Sequence, residues 1–549
     1  MTAAAYEKIW ETDNPPSVHW PLYTRGNVGE VFPEVVLPFS WGLMGQAAED
    51  GWRKAFVRMG LTAEGDFADD EPMVILGVFG GYCYINASYV RLLGVRAPGG
   101  KVENIDTSFF GESDAPSYTP SDGDKNVRAS LRLARTVFRL LGTKRLPEME
   151  HDKANVDRFV QKYPGDDASN ADLMAYCRSF APFFEQLFFH HIDNTFSNTL
   201  VSGALSDLVV KAGRPDLLVS LLAGIGDIES AAPSSAMWDL SRLDPDSDEF
   251  AVGFGRFIRD FGMRGPNEWD LGSDPWAFRP EMATAAIDAM RAVDESHAPK
   301  VQVARLVAER EAAAEQVRGA LSRIDRFQFD KALAATTVFS QGRERSKTTV
   351  IKAIHAVRRA QRTMHERAAD NGGTSLRWKS CLLNVDEFER YLDDPSSFAD
   401  LIEERAALHG RLAGRIPPFI IDGVVPDVDT WESRSADAEP LGPGATLHGI
   451  AGCPGVARGR ARIVLEAGDP GELGPGDVLV APITDPSWTP LFLAAEAVVV
   501  DVGATMSHAV IVSRELGIPC VVSAVGATRS IPDGSEIEVD GNTGVVTVL

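Results

Sequence analysis

A chain of 549 residues is more than one hydrophobic core normally supports, so at least two domains are expected. Its formal net charge of -24 argues against nucleic acid and anionic membrane surfaces as partners, because both reward clustered lysine and arginine. With 44% apolar and 24% charged residues the composition is that of an ordinary globular protein, and no stretch is apolar enough for long enough to span a bilayer.

The opening MTAAAYEKIWETDNPP has neither a basic start nor an apolar run, so no signal peptide is read and a cytoplasmic protein is expected. Helical signals follow at 42–59, 127–141, 171–196 and 202–222. Between the first two, VILGVFGGYCYIN reads as a hairpin turning at Gly80-Gly81. His190 and His191 follow the apolar run FFEQLFF; helix neighbours point about 100° apart, so they cannot serve one metal together. Residues 300–367 lack proline and repeat apolar positions at helical spacing, which predicts two long antiparallel helices turning near 327–339. The five cysteines (Cys83, Cys177, Cys381, Cys453, Cys520) are scattered in apolar contexts without metal-ligand spacing; buried thiols and no metal site are expected.

RIPPFIIDGVVPDV and ESRSADAEPLGPGATL are rich in Pro, Gly and small polar residues. They predict a flexible linker over 416–446, separating a mainly helical domain (1–415) from a small α/β domain (447–549). In the latter, Val498 to Val500 reads as a buried strand, Gly503 as the turn after it, and 507–516 as a helix with Gly517 as its C-cap. His508 falls in the first turn of that helix, behind a Ser507 N-cap. There the positive end of the helix dipole disfavours imidazolium and would stabilise an attached phosphoryl dianion. A histidine packed in a buried helix is the bland alternative.

Four segments decide against the bland reading: GCPGVARGRARIV, GDVLVAPITDPSWTPLF, DVGATMSHAVIVSRELGIP and DGSEIEVDGNTGVVTVL. In order and spacing they resemble the swivelling phosphohistidine domain of the PEP-utilising enzymes, among them PEP synthase, pyruvate phosphate dikinase and rifampin phosphotransferase. The resemblance implies that His508 carries the phosphoryl group, supported by Gly503, Thr505, Ser507, Arg514 and Glu515. Ala504 and Ser513 depart from the family's usual Gly and Ala. TRGNVGEVFPEVVLPFSW, FGMRGPNEWDLGSDPW, GRERSK and LLNVDEFERYL look like parts of the substrate domain of rifampin phosphotransferase, with Met263 where a histidine is common.

Phosphoryl transfer needs positioning and cationic neutralisation more than covalent work. Arg264 is therefore the expected clamp and Glu268 the expected general base, with Arg25, Arg343, Lys347, Asp270, His190 and His191 as further candidates. No glycine-rich nucleotide loop followed by lysine is found. Family members load the histidine through an ATP-grasp domain or a PEP barrel, and the sequence leaves no visible room for either. The division resembles the histidine-carrying subunit of phenylphosphate synthase and 4-methylphenyl phosphate synthase. That implies a separate ATP-grasp partner binding ATP and Mg2+, and a phenolic acceptor. Three alternatives stay open: an antibiotic or secondary-metabolite phosphotransferase, loading from PEP, and a regulatory protein that keeps only the fold.

Overall fold

The computed structural model describes residues 6–67, 71–110, 115–226, 229, 232–434, 439–469, 471–485, 488–503 and 507–549. Two long helices, Phe180–Lys211 and Arg323–Asp370, form the frame of the first part. They pack against each other, and Pro38–Met59, which opens on a proline and closes on Gly60 at a φ of 85°, packs along the first of them. The apolar faces meet in one large core holding Phe56, Phe184, Phe188, Ile354 and Val357.

Helix boundaries differ from the expected ones at two places. The turn between the late helices lies at Leu321–Ser322, because Pro299–Ala320 ends there and Arg323–Asp370 begins. Ser322 accepts a hydrogen bond from Asp325 N, a serine cap hidden in a helix-rich composition. The signals at 171–196 and 202–222 resolve into Asn170–Arg178, Phe180–Lys211 and a short Leu218–Leu222. The break falls at Ser179, three residues before Pro182, which sits in the first turn of the second helix, where proline is tolerated.

A four-stranded antiparallel sheet covers one end, built from β1 (Leu22–Thr24), β2 (Leu76–Phe79), β3 (Tyr82–Asn86) and β4 (Ile420–Asp422), in the order β2-β3-β1-β4. The β2-β3 hairpin turns on Gly80 and Gly81, both at positive φ (55° and 82°), the twist a two-residue hairpin needs. β4 corrects the linker reading. It lies inside 416–446 yet pairs with β1, and Val428 and Trp431 beyond it are buried in the main core. The flanking prolines concealed a three-residue edge strand, where proline is tolerated.

The C-terminal part is an eight-stranded mixed sheet: β5 (Thr446–His448), β6 (Ile450–Cys453), β7 (Val456–Ile463), β8 (Asp477–Ala481), β9 (Ala495–Val500), β10 (Cys520–Val522), β11 (Glu536–Asp540) and β12 (Val545–Val548). Its order is β5-β12-β11-β7-β8-β9-β10-β6, with β7 through β10 parallel. β8 is buried throughout, and β9 is buried except at Glu496, as strands covered on both faces must be. The helix His508–Leu516 makes the crossover from β9 to β10. The whole is a multidomain α+β protein. Among the described residues no helix is long and apolar enough to cross a membrane, and all five cysteines are buried free thiols.

The two parts are docked. Leu493 and Ala494 join Trp238, Phe257, Trp276 and Ile287 in one apolar cluster. Gly517 ends the crossover helix at a φ of 69°, and a Cβ there would stand 2.0 Å from Arg305 Nη2 of the helical part. Gly517→Ala is thus expected to cost about 1–2 kcal/mol in backbone strain, while the exposed Arg305 guanidinium can turn aside and leave docking intact. Thermal unfolding and small-angle scattering of the variant check the two expectations separately.

Candidate active site

The strand-turn-helix unit fixes His508 from below. Ser507 caps the helix, its Oγ accepting from Val510 N at 3.3 Å. A Cβ on Gly503 would stand 2.9 Å from Val522 Cβ, so the turn passes too close to β10 for any side chain. Thr505 lies outside the described residues. Arg514 donates from Nε to Gly452 O at 3.0 Å and ties the helix to β6. Its role is structural.

Two threonines flank the imidazole. Thr484 Oγ1 lies 3.2 Å from Nδ1 and Thr489 Oγ1 lies 3.2 Å from Nε2. A hydroxyl can donate or accept, so either tautomer is satisfied and either nitrogen can be the one that reacts. Burial, with Lys347 and Arg264 nearby, holds the imidazole well below its ordinary pKa. The imidazole is neutral, and burial outranks the cations as the cause.

The helical part presents a charged cluster to this histidine. Arg264 and Glu268 are each 2% exposed and 3.2 Å apart, and Lys347 Nζ lies 3.7 Å from the other carboxylate oxygen. None of the three guanidinium nitrogens of Arg264 and neither oxygen of Glu268 has a well-directed hydrogen bond. Buried charges left so under-coordinated are costly unless something else engages them. The backbone of 262–276 is held by other arginines: Arg358 donates to Glu268 O at 2.7 Å and Asp270 O at 2.8 Å, and Arg377 donates to Leu271 O at 2.7 Å. Beside the cluster, Trp269 packs between Phe188 and His191, with ring centroids at 6.0 and 5.9 Å. His191 hydrogen-bonds Ser346 at 2.9 Å and is pushed down to about 3 by burial and by Arg343 and Lys347, which keeps it neutral.

Hydrogen bonds cross the seam between the parts beside this histidine. His508 N donates to Glu30 Oε2 at 3.0 Å, and Asn267 N donates to Asp485 Oδ2 at 3.2 Å. Glu30, Thr484 and Thr489 were missed in the sequence. Glu30 sits in a four-residue helix, Val28–Val31, and the threonines are spread over a loop and a short helix; none has a local chemical signature.

Three expected site residues stand elsewhere. Arg25 is buried beneath the Glu30 helix, donating to the carbonyls of Cys83, Phe32 and Pro33 at 3.0, 3.1 and 3.2 Å. Asp270 accepts from Ser40 Oγ at 2.7 Å and Leu37 N at 3.3 Å, anchoring the start of the Pro38–Met59 helix. His190 turns away to Asp152 at 2.7 Å, as the helical angle between neighbours requires. Arg343, one turn before Lys347, adds its charge to both His191 and Glu30.

A neutral histidine thus stands at a helix start, on a parallel sheet, near Arg264 and Lys347. Residues 473–544 match the PEP-utilising enzyme mobile domain. Residues 242–344 match the rifampicin phosphotransferase fourth domain. The mobile-domain match holds Thr484, Thr489 and His508, and the second holds Arg264, Glu268 and Arg343. Over 350 residues the chain is 33% identical to an uncharacterized protein of Mycobacterium tuberculosis, covering 63% of this chain and 36% of that one. It is 28% identical over 356 residues to a rifampicin phosphotransferase of Streptomyces sviceus (60% and 37%). To the prodigiosin synthesizing transferase PigC of Serratia marcescens it is 25% identical over 595 residues (99% and 64%). The chain thus spans about a third of the length of the first two relatives.

Docking of the mobile domain is expected to be proton-linked. Burial raises Glu30 from 4.5 to about 7, against the pull of the His508 amide, Lys347 and Arg343. Burial and the neighbouring Glu344 likewise raise Glu515 to about 7, opposed by Arg310. A carboxyl raised on docking favours the docked state fully below its free value near 4.5 and ceases to favour it above about 7. Small-angle scattering should therefore show the mobile domain loosening as the pH rises from about 4.5 to about 7, and Glu30→Gln/Glu515→Gln should flatten that response.

Proposed function

We propose that the chain is a phosphotransferase component that carries a phosphoryl group on His508 and delivers it to the hydroxyl of a small phenolic acceptor. The observation that carries this reading is the placement of neutral His508 near Lys347 and near the buried pair Arg264 and Glu268, whose side-chain polar atoms have no well-directed hydrogen bond. Arg264 and Lys347 neutralise the charge on the equatorial oxygens during transfer, and the threonine hydroxyls orient the ring. The aromatic cluster of Phe188, Trp269 and His191 beside Glu268 is compatible with an aromatic acceptor, whose hydroxyl ionises near pH 10 and needs only modest base assistance. His508 is loaded by an ATP-grasp module that binds ATP and Mg2+, converting ATP, acceptor and water to AMP, phosphate and phosphorylated acceptor.

A second reading keeps the chemistry and changes the acceptor to an antibiotic or another secondary metabolite. The names of the Streptomyces and Serratia relatives favour it. The test is peptide mapping after incubation with ATP, Mg2+ and a lysate of the source organism, followed by a panel of phenols and of larger hydroxylated compounds. An acid-labile adduct on His508 that phenols discharge supports the first reading. Discharge by the larger compounds alone selects the second. No adduct from ATP or PEP leaves a regulatory protein.

A further inference from the structure

The site holds two carboxylates in different environments, and the difference separates their roles. Glu268 lies between two cations, Arg264 at 3.2 Å and Lys347 at 3.7 Å, and is 2% exposed. So placed, it holds Arg264 and Lys347 in position on either side of it. Among the described residues Glu30 makes no ion pair within 4 Å; its Oε2 accepts the His508 amide at 3.0 Å, at the seam between the two parts.

Resting on the phosphoryl-carrier reading, we propose that Glu30, rather than Glu268, takes the proton of the acceptor hydroxyl. As the acceptor oxygen forms its bond to phosphorus, its proton passes to the Glu30 carboxylate. The P–N bond breaks, and its electron pair stays on the imidazole nitrogen. The proton then passes from Glu30 to the imidazole, so His508 ends neutral and Glu30 ends as it began. One phosphoryl group moves outward and one proton moves back. The groups facing Glu30 are Lys347 and Arg343 from the long helix, and the His508 amide and Ser507 from the histidine helix. Burial outweighs them and holds Glu30 near pH 7, where a general base is most effective.

The test separates this step from loading. Potassium phosphoramidate phosphorylates histidine chemically, so the full chain can be loaded without its partner. Discharge to phenol, to rifamycin and to water is then followed by 31P NMR from pH 5 to 9. Wild-type discharge should rise about tenfold per pH unit and level off near pH 7. Glu30→Gln should load normally, discharge roughly 10²–10³-fold more slowly and lose that limb. Glu268→Gln should discharge more slowly but keep the limb. A Glu30→Gln protein that keeps both rate and limb, or a Glu268→Gln protein that loses the limb, overturns the assignment. Water serves as acceptor throughout, so failure with phenol and rifamycin discards those acceptors while still testing Glu30. No adduct on His508 in any variant removes the carrier reading and this step with it.

Discussion

His508→Ala is expected to abolish acid-labile phosphorylation of the chain and to lower product formation by at least about 10⁴-fold, as loss of a covalent nucleophile does. The fold should survive. The imidazole packs edge-on to Phe492 at 5.8 Å and bonds two threonines, while the helix itself is held by the Ser507 cap, the Arg514 tie and buried Ala509, Val510 and Val512. His508→Gln is the sharper variant, since its amide can still meet one threonine but cannot carry phosphate. Full product formation by either variant would show that the phosphoryl group travels another way. Loss of the adduct with an unchanged melting temperature assigns the nucleophile.

How far the sequence displayed this site depends on how local each signal is. The histidine helix was legible because strand, cap, helix and Gly517 stop lie within about twenty residues and each obeys short-range rules. Arg264 and Glu268 were visible together as neighbours in one loop, and Lys347 as part of GRERSK. Their convergence was not visible, since it depends on two long helices and an interdomain seam that bring positions 30, 264, 347 and 508 together. Nonlocal packing also explains the errors. Arg25 and Asp270 are charged residues in promising motifs, yet their partners are backbone carbonyls and amides scattered along the chain. Composition reports a charge; it does not report whether that charge holds up a loop or faces a substrate. The linker error is of the same kind, because β4 is a strand only by virtue of β1, some 400 residues earlier.

Arg264→Met is expected to produce the second-largest effect, and it tests whether the buried cluster exists for stability or for chemistry. Removing one partner leaves Glu268 buried with Lys347 alone at 3.7 Å. Leaving such a charge uncompensated costs about 3–5 kcal/mol. Phosphoryl transfer should also fall on the order of 10²–10³-fold, because a donor aimed at developing charge is lost. A single variant confounds the two, since an unstable protein is also inactive. The double variant Arg264→Met/Glu268→Gln resolves them, as it removes both members of the 3.2 Å pair and relieves the uncompensated charge. If the cluster is catalytic, the double variant recovers most of the lost stability in urea titrations while single-turnover discharge from loaded His508 stays low. Recovery of rate together with stability would make Arg264 a structural residue, and Lys347 would then be left as the cation that meets the phosphoryl group.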